Sequence, residues 1–200
     1  MYKIFINEKP FIISSVEITD EAFAKCRRVE HHPAKTLEYI KECEGMKSRG
    51  LVVQTDDELY AFKDFFTHFV SIEAAGGIVF NKRQEILLIK RLGKWDLPKG
   101  KMDGDETPAE AAVREVEEEC AVKELTIDKD WQVSYHTYKM HNHRFLKITY
   151  WFLMSTTWDE KLVPQREENI TEAKWFNPKE VDLTHLDTYN SIRDLLNGLV

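Results

Sequence analysis

The chain contains little cysteine: its 200 residues include three cysteines, Cys26, Cys43 and Cys120. They form no Cys-x-x-Cys pair and no even set, which argues against a disulfide framework and favours reduced, structural thiols. Long apolar runs are missing too, so no membrane-spanning segment and no membrane partner are expected. The N-terminal residues MYKIFINEKP do not follow the pattern of a signal peptide. Together these absences predict a cytoplasmic protein.

Basic residues are in the minority: 28 Lys and Arg stand against 35 Asp and Glu, for a formal net charge of -7. This balance argues against broad binding to nucleic acids, and no DNA partner is expected. It does not exclude a phosphorylated small molecule as partner, because the local field of a site outweighs the net charge. The length allows one large or two small domains, and no internal repeat or flexible linker divides the sequence. A homodimer is left open.

What the sequence does contain is a helix with a clearly marked beginning. Thr107 and Glu110 have the spacing of a capping box, and Pro108 falls at the first helical position, where its missing N–H costs nothing. Small and apolar side chains then recur at three- and four-residue spacing, which predicts a buried stripe. The stripe consists of Ala109, Ala112, Val113, Val116 and Cys120.

A second face of this helix carries Glu115, Glu118 and Glu119, roughly 120° around from the stripe. Like charges at this spacing repel one another, and more strongly inside a cleft. A hard cation relieves the repulsion, and Mg2+ prefers oxygen ligands while keeping water and substrate phosphates in its shell. Arg114 lies beside the cluster and can hold one carboxylate through a bidentate pair. The alternative is a solvated acidic face, but glutamates late in a helix oppose its dipole.

The pattern of a glycine, five residues, a glutamate, seven residues and then Arg-Glu-aliphatic-x-Glu-Glu resembles the Nudix box. The positions in register are Gly100, Glu106, Arg114, Glu115, Val116, Glu118, Glu119 and Val122. One position departs, since the family usually has a glycine where this chain has Ala121. Because that glycine ends the helix and is not a ligand, we expect only a modest cost at the helix C-terminus.

The resemblance covers residues 71–200 and implies a Nudix hydrolase domain, an α/β/α sandwich with a mixed central sheet. Strands are predicted over Ala74–Phe80, Glu85–Lys90 and Arg144–Met154, and Glu172–Phe176 leads into a terminal helix. The apolar stripe of that helix is Ile192, Leu195, Leu196 and Leu199. The lead-in WDLPKG, residues 95–100, is similar to the branch that hydrolyses diadenosine polyphosphates and diphosphoinositol polyphosphates.

Residues 1–70 are predicted to form a small α+β unit of unknown role. A hairpin of Tyr2–Asn7 and Phe11–Ser15, a helix over Ala34–Glu44 and a strand over Leu51–Gln54 are expected. Thr55 and Glu58 form a second capping box, opening a helix whose apolar stripe is expected to face inward. The stripe consists of Leu59, Phe62, Phe65, Phe66 and Phe69. A unit this short is expected to pack on the larger domain or on another subunit.

The resemblance implies a Mg2+-dependent pyrophosphohydrolase, with Mn2+ as a substitute, that cleaves a phosphoanhydride bond in a nucleoside diphosphate linked to X. A dinucleoside polyphosphate or diphosphoinositol-type substrate is favoured. Glu115, Glu118 and Glu119 are the expected metal ligands, and backbone oxygens near Lys99 are expected to complete the shell. Glu106 is expected to orient Arg114 or to form an ion pair with it.

The general base is left open between Glu118, acting through a metal-bound water, and a carboxylate of a late loop, either Glu167 or Glu168. Cations beside the box and on the later strand are the candidate phosphate contacts. These substrate-binding candidates are Arg91, Lys99, Lys101 and Lys147. A cationic hairpin tip at 139–144 is expected to cover the polyphosphate. The alternative for each cation is an ordinary solvated side chain.

A second class of function is a Nudix-fold module that binds a nucleotide sugar such as ADP-ribose without cleaving it. The intact set of Glu115, Glu118 and Glu119 favours the enzyme, since a pure sensor has less need of metal ligands. No DNA-binding helix-turn-helix motif is recognisable in the sequence. This argues further against a binding module that regulates transcription.

Overall fold

A computed structural model of the chain describes residues 1–181 and 185–199. Its contacts divide the chain into two compact units. Unit 1 consists of Met1–Ile72 and Tyr135–Ile148, and unit 2 of Glu73–Ser134 and Thr149–Val200. The segment 135–148 therefore packs with the N-terminal residues, which the sequence analysis does not anticipate. The domain boundary after residue 70 stays a prediction.

The helices and strands are, in chain order, β1 (Tyr2–Ile6), β2 (Lys9–Ser14), β3 (Arg27–Glu30), α1 (Thr36–Glu44), β4 (Leu51–Gln54), α2 (Glu58–Phe66), β5 (Val70–Phe80), β6 (Ile86–Arg91), β7 (Lys94–Asp96), β8 (Lys99–Lys101), α3 (Pro108–Cys120), β9 (Leu125–Met140), β10 (His143–Thr156), β11 (Ile170–Phe176) and α4 (Asn190–Asn197). Short 3-10 turns lie at Glu21–Phe23, Pro33–Lys35 and Arg166–Glu168. No helix of the described ranges is long and apolar enough to span a membrane.

In unit 1, β1 and β2 form the predicted hairpin, and its turn places Asn7 and Glu8 at positive φ. β1 also pairs in parallel with β9, where Ile4 lies opposite Tyr135. On the other side β2 pairs in parallel with β4, and β4 with β3. α1 and α2 cover one face of this sheet with buried side chains that include Ile40 and Phe65.

The start of α2 differs from the expectation. The N-cap is Asp57, whose carboxylate accepts a hydrogen bond from the N–H of Tyr60 at 2.9 Å, and not Thr55. The N-cap therefore lies two residues later than the capping-box spacing suggests. Leu59 is 51% exposed instead of facing inward. Aspartate at the N-cap satisfies the same free N–H groups as threonine, so local spacing alone could not choose between them.

Unit 2 has the expected mixed sheet, with strand order β11-β6-β5-β10-β9, while β7 pairs with β6 and β8 pairs with β5. Neighbouring strand residues alternate between two cores, as the period of two requires. Val79 and Leu87 face α3, whereas Ile78 and Leu88 face α4. The predicted stripes of both helices pack on these cores, with Ala109, Val113 and Leu199 partly buried and Leu199 beyond the end of α4. The predicted α/β/α sandwich is confirmed.

Candidate active site

The helix α3 spans Pro108–Cys120 and begins as the capping box predicts. The N–H of Glu110 donates to the Thr107 hydroxyl, and the Glu110 carboxylate accepts the N–H of Thr107 at 2.9 Å. The helix ends at Ala121, whose φ of 58° and ψ of 23° are left-handed. A residue with a Cβ pays about 1–2 kcal/mol in this conformation, so the cost of lacking glycine here exceeds the modest one expected.

Arg114 is the centre of the polar network on the exposed face of α3. Its Nε and Nη2 bind both carboxylate oxygens of Glu106, at 2.7 and 2.9 Å. Its Nη1 donates to Glu115 at 2.8 Å and to Glu118 at 3.1 Å. Its Nη2 also donates to the carbonyl oxygen of Lys101 at 3.0 Å. These hydrogen bonds hold the pKa of Glu106 at about 2, with Arg114 as the main cause and the N–H of Asp103 adding to it.

Gly100 lies directly against the carboxylate of Glu115. A Cβ at position 100 would meet the Oε2 atom of Glu115 at 1.8 Å. β8, which contains Gly100, is held in place by antiparallel pairing with β5, where Gly100 lies opposite Ala75. The glycine of the motif therefore leaves room for the Glu115 carboxylate to lie against β8, a position that a Cβ at residue 100 would take.

Glu119 is the buried member of the acidic set, with an exposure of 1%. Its Oε2 accepts the backbone N–H of Lys99 at 2.9 Å, and its Oε1 lies 3.6 Å from Nη1 of Arg91. Burial raises the pKa of Glu119 to about 7, although the charge and N–H of Lys99 and the charge of Arg91 oppose this rise. A buried carboxylate of this kind takes up a cation readily, because the cation replaces the lost hydration.

The loop between β10 and β11, which carries Glu167 and Glu168, lies close to Glu119 through Arg91. Glu168 closes a 3-10 turn, and its carboxylate accepts a hydrogen bond from Nη2 of Arg91 at 2.7 Å. Arg91 thus contacts Glu119 and Glu168 at once. Glu167, the other loop candidate, is exposed, as is Glu168.

The predicted substrate-binding cations are not all gathered here. The ammonium of Lys99 is buried and donates to Asp96 at 2.7 Å, so its side chain belongs to a buried ion pair. Lys101 is exposed beside the box, whereas Lys147 lies in unit 1. The cationic tip at 139–144 also belongs to unit 1, where Lys139 and Arg144 bind Glu44. The role of each cation in binding substrate stays a prediction.

Asp96 is a site residue that the sequence reasoning missed. Its Oδ2 holds Lys99, and its Oδ1 accepts the N–H of Leu97 at 2.8 Å, which fixes the turn between β7 and β8. That turn presents the N–H of Lys99 to Glu119. The sequence does contain an indication of this ion pair, since Asp96 and Lys99 lie three residues apart on either side of a Leu-Pro turn.

The donors of the site fit a hard divalent cation by their chemistry, since Glu115, Glu118 and Glu119 offer carboxylate oxygens within a short helix. The three carboxylates do not converge on a common point. In the part of the chain that the structure describes, no three acidic, histidine or cysteine side chains are gathered to hold an ion. The reason is visible: Glu115 and Glu118 turn toward Arg114, while Glu119 turns toward Lys99. A cation has to compete with Arg114 for two of the carboxylates.

A separate cavity of about 700 Å³ lies on the α4 face of unit 2. Its walls include Phe80, Trp131 and Phe176, and none of the predicted site residues lines it. The acidic network on α3 and this cavity are therefore on opposite faces of the sheet.

Comparison with known proteins adds a family and a fold. A family model described as NUDIX domain matches residues 71–196. A 44-residue segment is 54% identical to a protein of Bacillus subtilis (strain 168) with the provisional name 8-oxo-dGTP diphosphatase, over 21% of this chain and 30% of that protein. The chain therefore matches less than a third of that relative's length.

Among solved structures, a C. elegans Ap4A hydrolase binary complex has a TM-score of 0.50 and 22% identity, over 64% of this chain and 94% of that one. A MutT protein from Methanosarcina mazei Go1 has a TM-score of 0.48 and 23% identity, over 65% of this chain and 93% of that one. At this identity the likeness to the Ap4A hydrolase shows a common fold alone.

Proposed function

The chain belongs to the Nudix family, and from this we propose that it is a divalent-metal-dependent pyrophosphohydrolase, with Mg2+ as the metal and Mn2+ as a substitute. The proposal rests on the burial of Glu119. Its carboxylate accepts a hydrogen bond from the N–H of Lys99 and lies one helical turn from Glu115. If the acidic face were only solvated, all of its glutamates would be exposed, because burial of a carboxylate costs free energy.

The metal, when bound, neutralises phosphate charge and lowers the pKa of a coordinated water. Glu115, Glu118 and Glu119 are the residues to hold it. Arg114 keeps Glu115 and Glu118 within reach, and Glu106 fixes the guanidinium from the other side. Gly100 lets the Glu115 carboxylate lie against the β8 backbone.

Hydrolysis needs a base for the attacking water. Glu168 is the proposed base because it lies on the loop that reaches Arg91 and, through Arg91, Glu119. The carboxylate takes one proton from water as the water oxygen attacks a phosphorus atom. The P–O anhydride bond then breaks, and two phosphorylated products leave.

For the substrate we propose a nucleoside diphosphate linked to X, with dinucleoside polyphosphates or diphosphoinositol-type compounds favoured because of the lead-in WDLPKG. The names of the Bacillus subtilis relative and of the C. elegans structure add an oxidised nucleoside triphosphate and diadenosine tetraphosphate as compounds to test. The protein is expected to work in the cytoplasm on a small phosphorylated molecule.

The test is turnover of a panel with Mg2+ or Mn2+: diadenosine tetraphosphate, a diphosphoinositol polyphosphate, 8-oxo-dGTP, ADP-ribose, NADH and nucleotide sugars. Glu119→Gln is expected to lower kcat roughly a thousandfold, about 4 kcal/mol of lost transition-state stabilisation. Glu117→Gln is the matched control, since Glu117 lies on the same helix and pairs with Lys123 instead.

Both variants are expected to unfold at temperatures close to that of the unmodified protein. If no compound is cleaved while ADP-ribose binds at micromolar concentration, the binding-module alternative replaces the enzyme. If Glu119→Gln retains full activity, the assignment of the metal ligands is wrong.

A further inference from the structure

The loop that carries Glu168 is tied to the site at both ends. On one side the N–H of Gln165 donates to the carbonyl oxygen of Glu119 at 3.0 Å, and the N–H of Val163 donates to that of Cys120 at 3.0 Å. On the other side the N–H of Leu92 donates to the carbonyl oxygen of Asn169 at 3.4 Å. The backbone of the loop is therefore fixed against the last turn of α3 and the end of β6.

Backbone contacts place the loop but leave the side chain of Glu168 free to rotate toward solvent. Its side chain is 49% exposed, and the Arg91 guanidinium that it binds also lies 3.6 Å from a second carboxylate, that of Glu119. Repulsion between two carboxylates favours the rotamers of Glu168 that point away from Glu119. Something has to hold it inward for it to act at the site.

Arg91 is the side chain that does so. Its Nη2 lies 2.7 Å from Glu168 and its Nη1 lies 3.6 Å from Glu119, so one planar guanidinium spans both carboxylates. The backbone of Arg91 is held by the sheet, since Arg91 ends β6 and lies opposite Ile170 in the pairing with β11. Arginine alone offers two parallel donors on a flat fork, which lysine cannot reproduce.

We propose that Arg91 is a positioning residue: it sets Glu168 relative to Glu119 and affects turnover through Glu168, not by holding substrate phosphate. This inference rests on the proposed hydrolase function. Its physical basis is that one guanidinium nitrogen of Arg91 donates a hydrogen bond to Glu168 while another lies at ion-pair distance from Glu119. A base displaced by about 1 Å can cost as much as a hundredfold in rate.

The first experiment measures kcat and KM with the best-cleaved compound of the panel at saturating Mg2+. Arg91→Gln is expected to lower kcat about tenfold to a hundredfold with KM changed less than about threefold. Arg91→Lys is expected to lose kcat as well, because a single ammonium cannot span both carboxylates. The double variant Arg91→Gln with Glu168→Gln is expected to be no slower than Glu168→Gln alone.

The second experiment needs neither substrate nor metal. Hydrogen exchange of residues 163–170 is measured by mass spectrometry in the full chain, and Arg91→Gln is expected to raise the exchange rate several-fold. Arg83→Gln is the matched control, because Arg83 is exposed on the turn between β5 and β6 and pairs with Glu85. The control is expected to change neither kcat nor the exchange rate.

A role in phosphate binding gives the opposite pattern: KM rises, Arg91→Lys rescues it, the double variant adds both losses, and exchange in 163–170 stays unchanged. That pattern overturns the inference while the proposed function stands. If the unmodified protein cleaves nothing, the proposed function fails, and unchanged exchange in Arg91→Gln then overturns the positioning role independently.

Discussion

Ala121 occupies a backbone conformation that usually belongs to glycine. Its φ of 58° closes α3, and its N–H completes the helix by donating to the carbonyl oxygen of Glu117 at 2.9 Å. A Cβ in this region costs about 1–2 kcal/mol, part of which is offset because glycine gains more entropy in the unfolded chain. The fold thus tolerates a strained residue at the end of α3, the helix that carries the three glutamates.

Ala121→Gly is therefore expected to raise the free energy of unfolding by about 1 kcal/mol, measured by urea denaturation. Ala112→Gly is the control, because Ala112 lies in the right-handed interior of the same helix and the change there should cost at least about 1 kcal/mol. Equal destabilisation by both substitutions would contradict the left-handed helix end.

Glu106 makes stability depend on pH in a defined window. Its folded pKa is about 2, below the ordinary value of 4.5, because Arg114 and the N–H of Asp103 favour the charged form. A lowered folded pKa contributes stability that is present above pH 4.5 and is lost as the pH falls toward 2.

Glu106→Gln is accordingly expected to be less stable than the unmodified protein at pH 7, and the difference is expected to shrink as the pH is lowered from about 5 to 3. Urea midpoints at pH 7, 5, 4 and 3 measure it. Glu160→Gln, in the exposed loop after β10, should give no such pH-dependent difference. A difference that stays constant down to pH 3 would show that Arg114 does not stabilise the charged form.

At the scale of elements, the site depends on the fit of α3 against β8. β8 pairs with β5, which places Gly100 under Glu115, while the turn fixed by Asp96 presents the N–H of Lys99 to Glu119. Two short backbone segments therefore set the positions of two carboxylates. The helix supplies the glutamates, and the strand determines where they can lie.

Gly100→Ala tests this contact. The new Cβ would come within 1.8 Å of Oε2 of Glu115, and the end of a flexible side chain can move away without unfolding the protein. We expect a thermal midpoint within a few degrees of the unmodified protein but at least about tenfold weaker Mn2+ binding, measured by electron paramagnetic resonance. Unchanged Mn2+ affinity would mean that metal binding does not depend on the position of Glu115 against β8.

At the scale of the whole molecule, the chain is not divided at one point. Residues 135–148, the tip of the β9–β10 hairpin, belong to unit 1, where Tyr135 pairs opposite Ile4 and Leu146 is fully buried. The aromatic rings of Tyr2 and Phe62 also pack on Tyr135. Removing residues 1–70 therefore takes away the partners of a segment that stays behind.

The fragment 71–200 is consequently expected to aggregate or to unfold at a lower temperature than the full chain, measured by size-exclusion chromatography and thermal unfolding. Exposure of Leu146 alone costs about 2 kcal/mol. Replacing 135–148 in the fragment by an Asn-Gly turn is expected to restore a soluble monomer. A fragment as soluble and stable as the full chain would contradict the assignment of this segment to unit 1.

The interpretation of the sequence succeeded where signals are local. The capping box at Thr107, the buried stripe of α3 and the hairpin of β1 and β2 are confirmed because each depends on neighbours along the chain. It failed at Thr55, since Asp57 offers an equally good cap two residues later. The bounds of the 16-residue strand β9 were not predicted. Its apolar residues do fall on alternate positions, at Leu125, Ile127, Trp131, Val133 and Tyr135, but the charged run Asp128–Asp130 interrupts them.

The sequence by itself determined the family, the sandwich fold and the helix that carries Glu115, Glu118 and Glu119, because a motif and a periodicity are properties of chain order. Only the tertiary structure decided which glutamate is buried, that Lys99 pairs with Asp96, and that Arg91 lies between Glu119 and Glu168. Those facts depend on residues far apart in the chain that meet through strand pairing and packing. Their burial and electrostatics follow from that geometry, which no spacing rule contains.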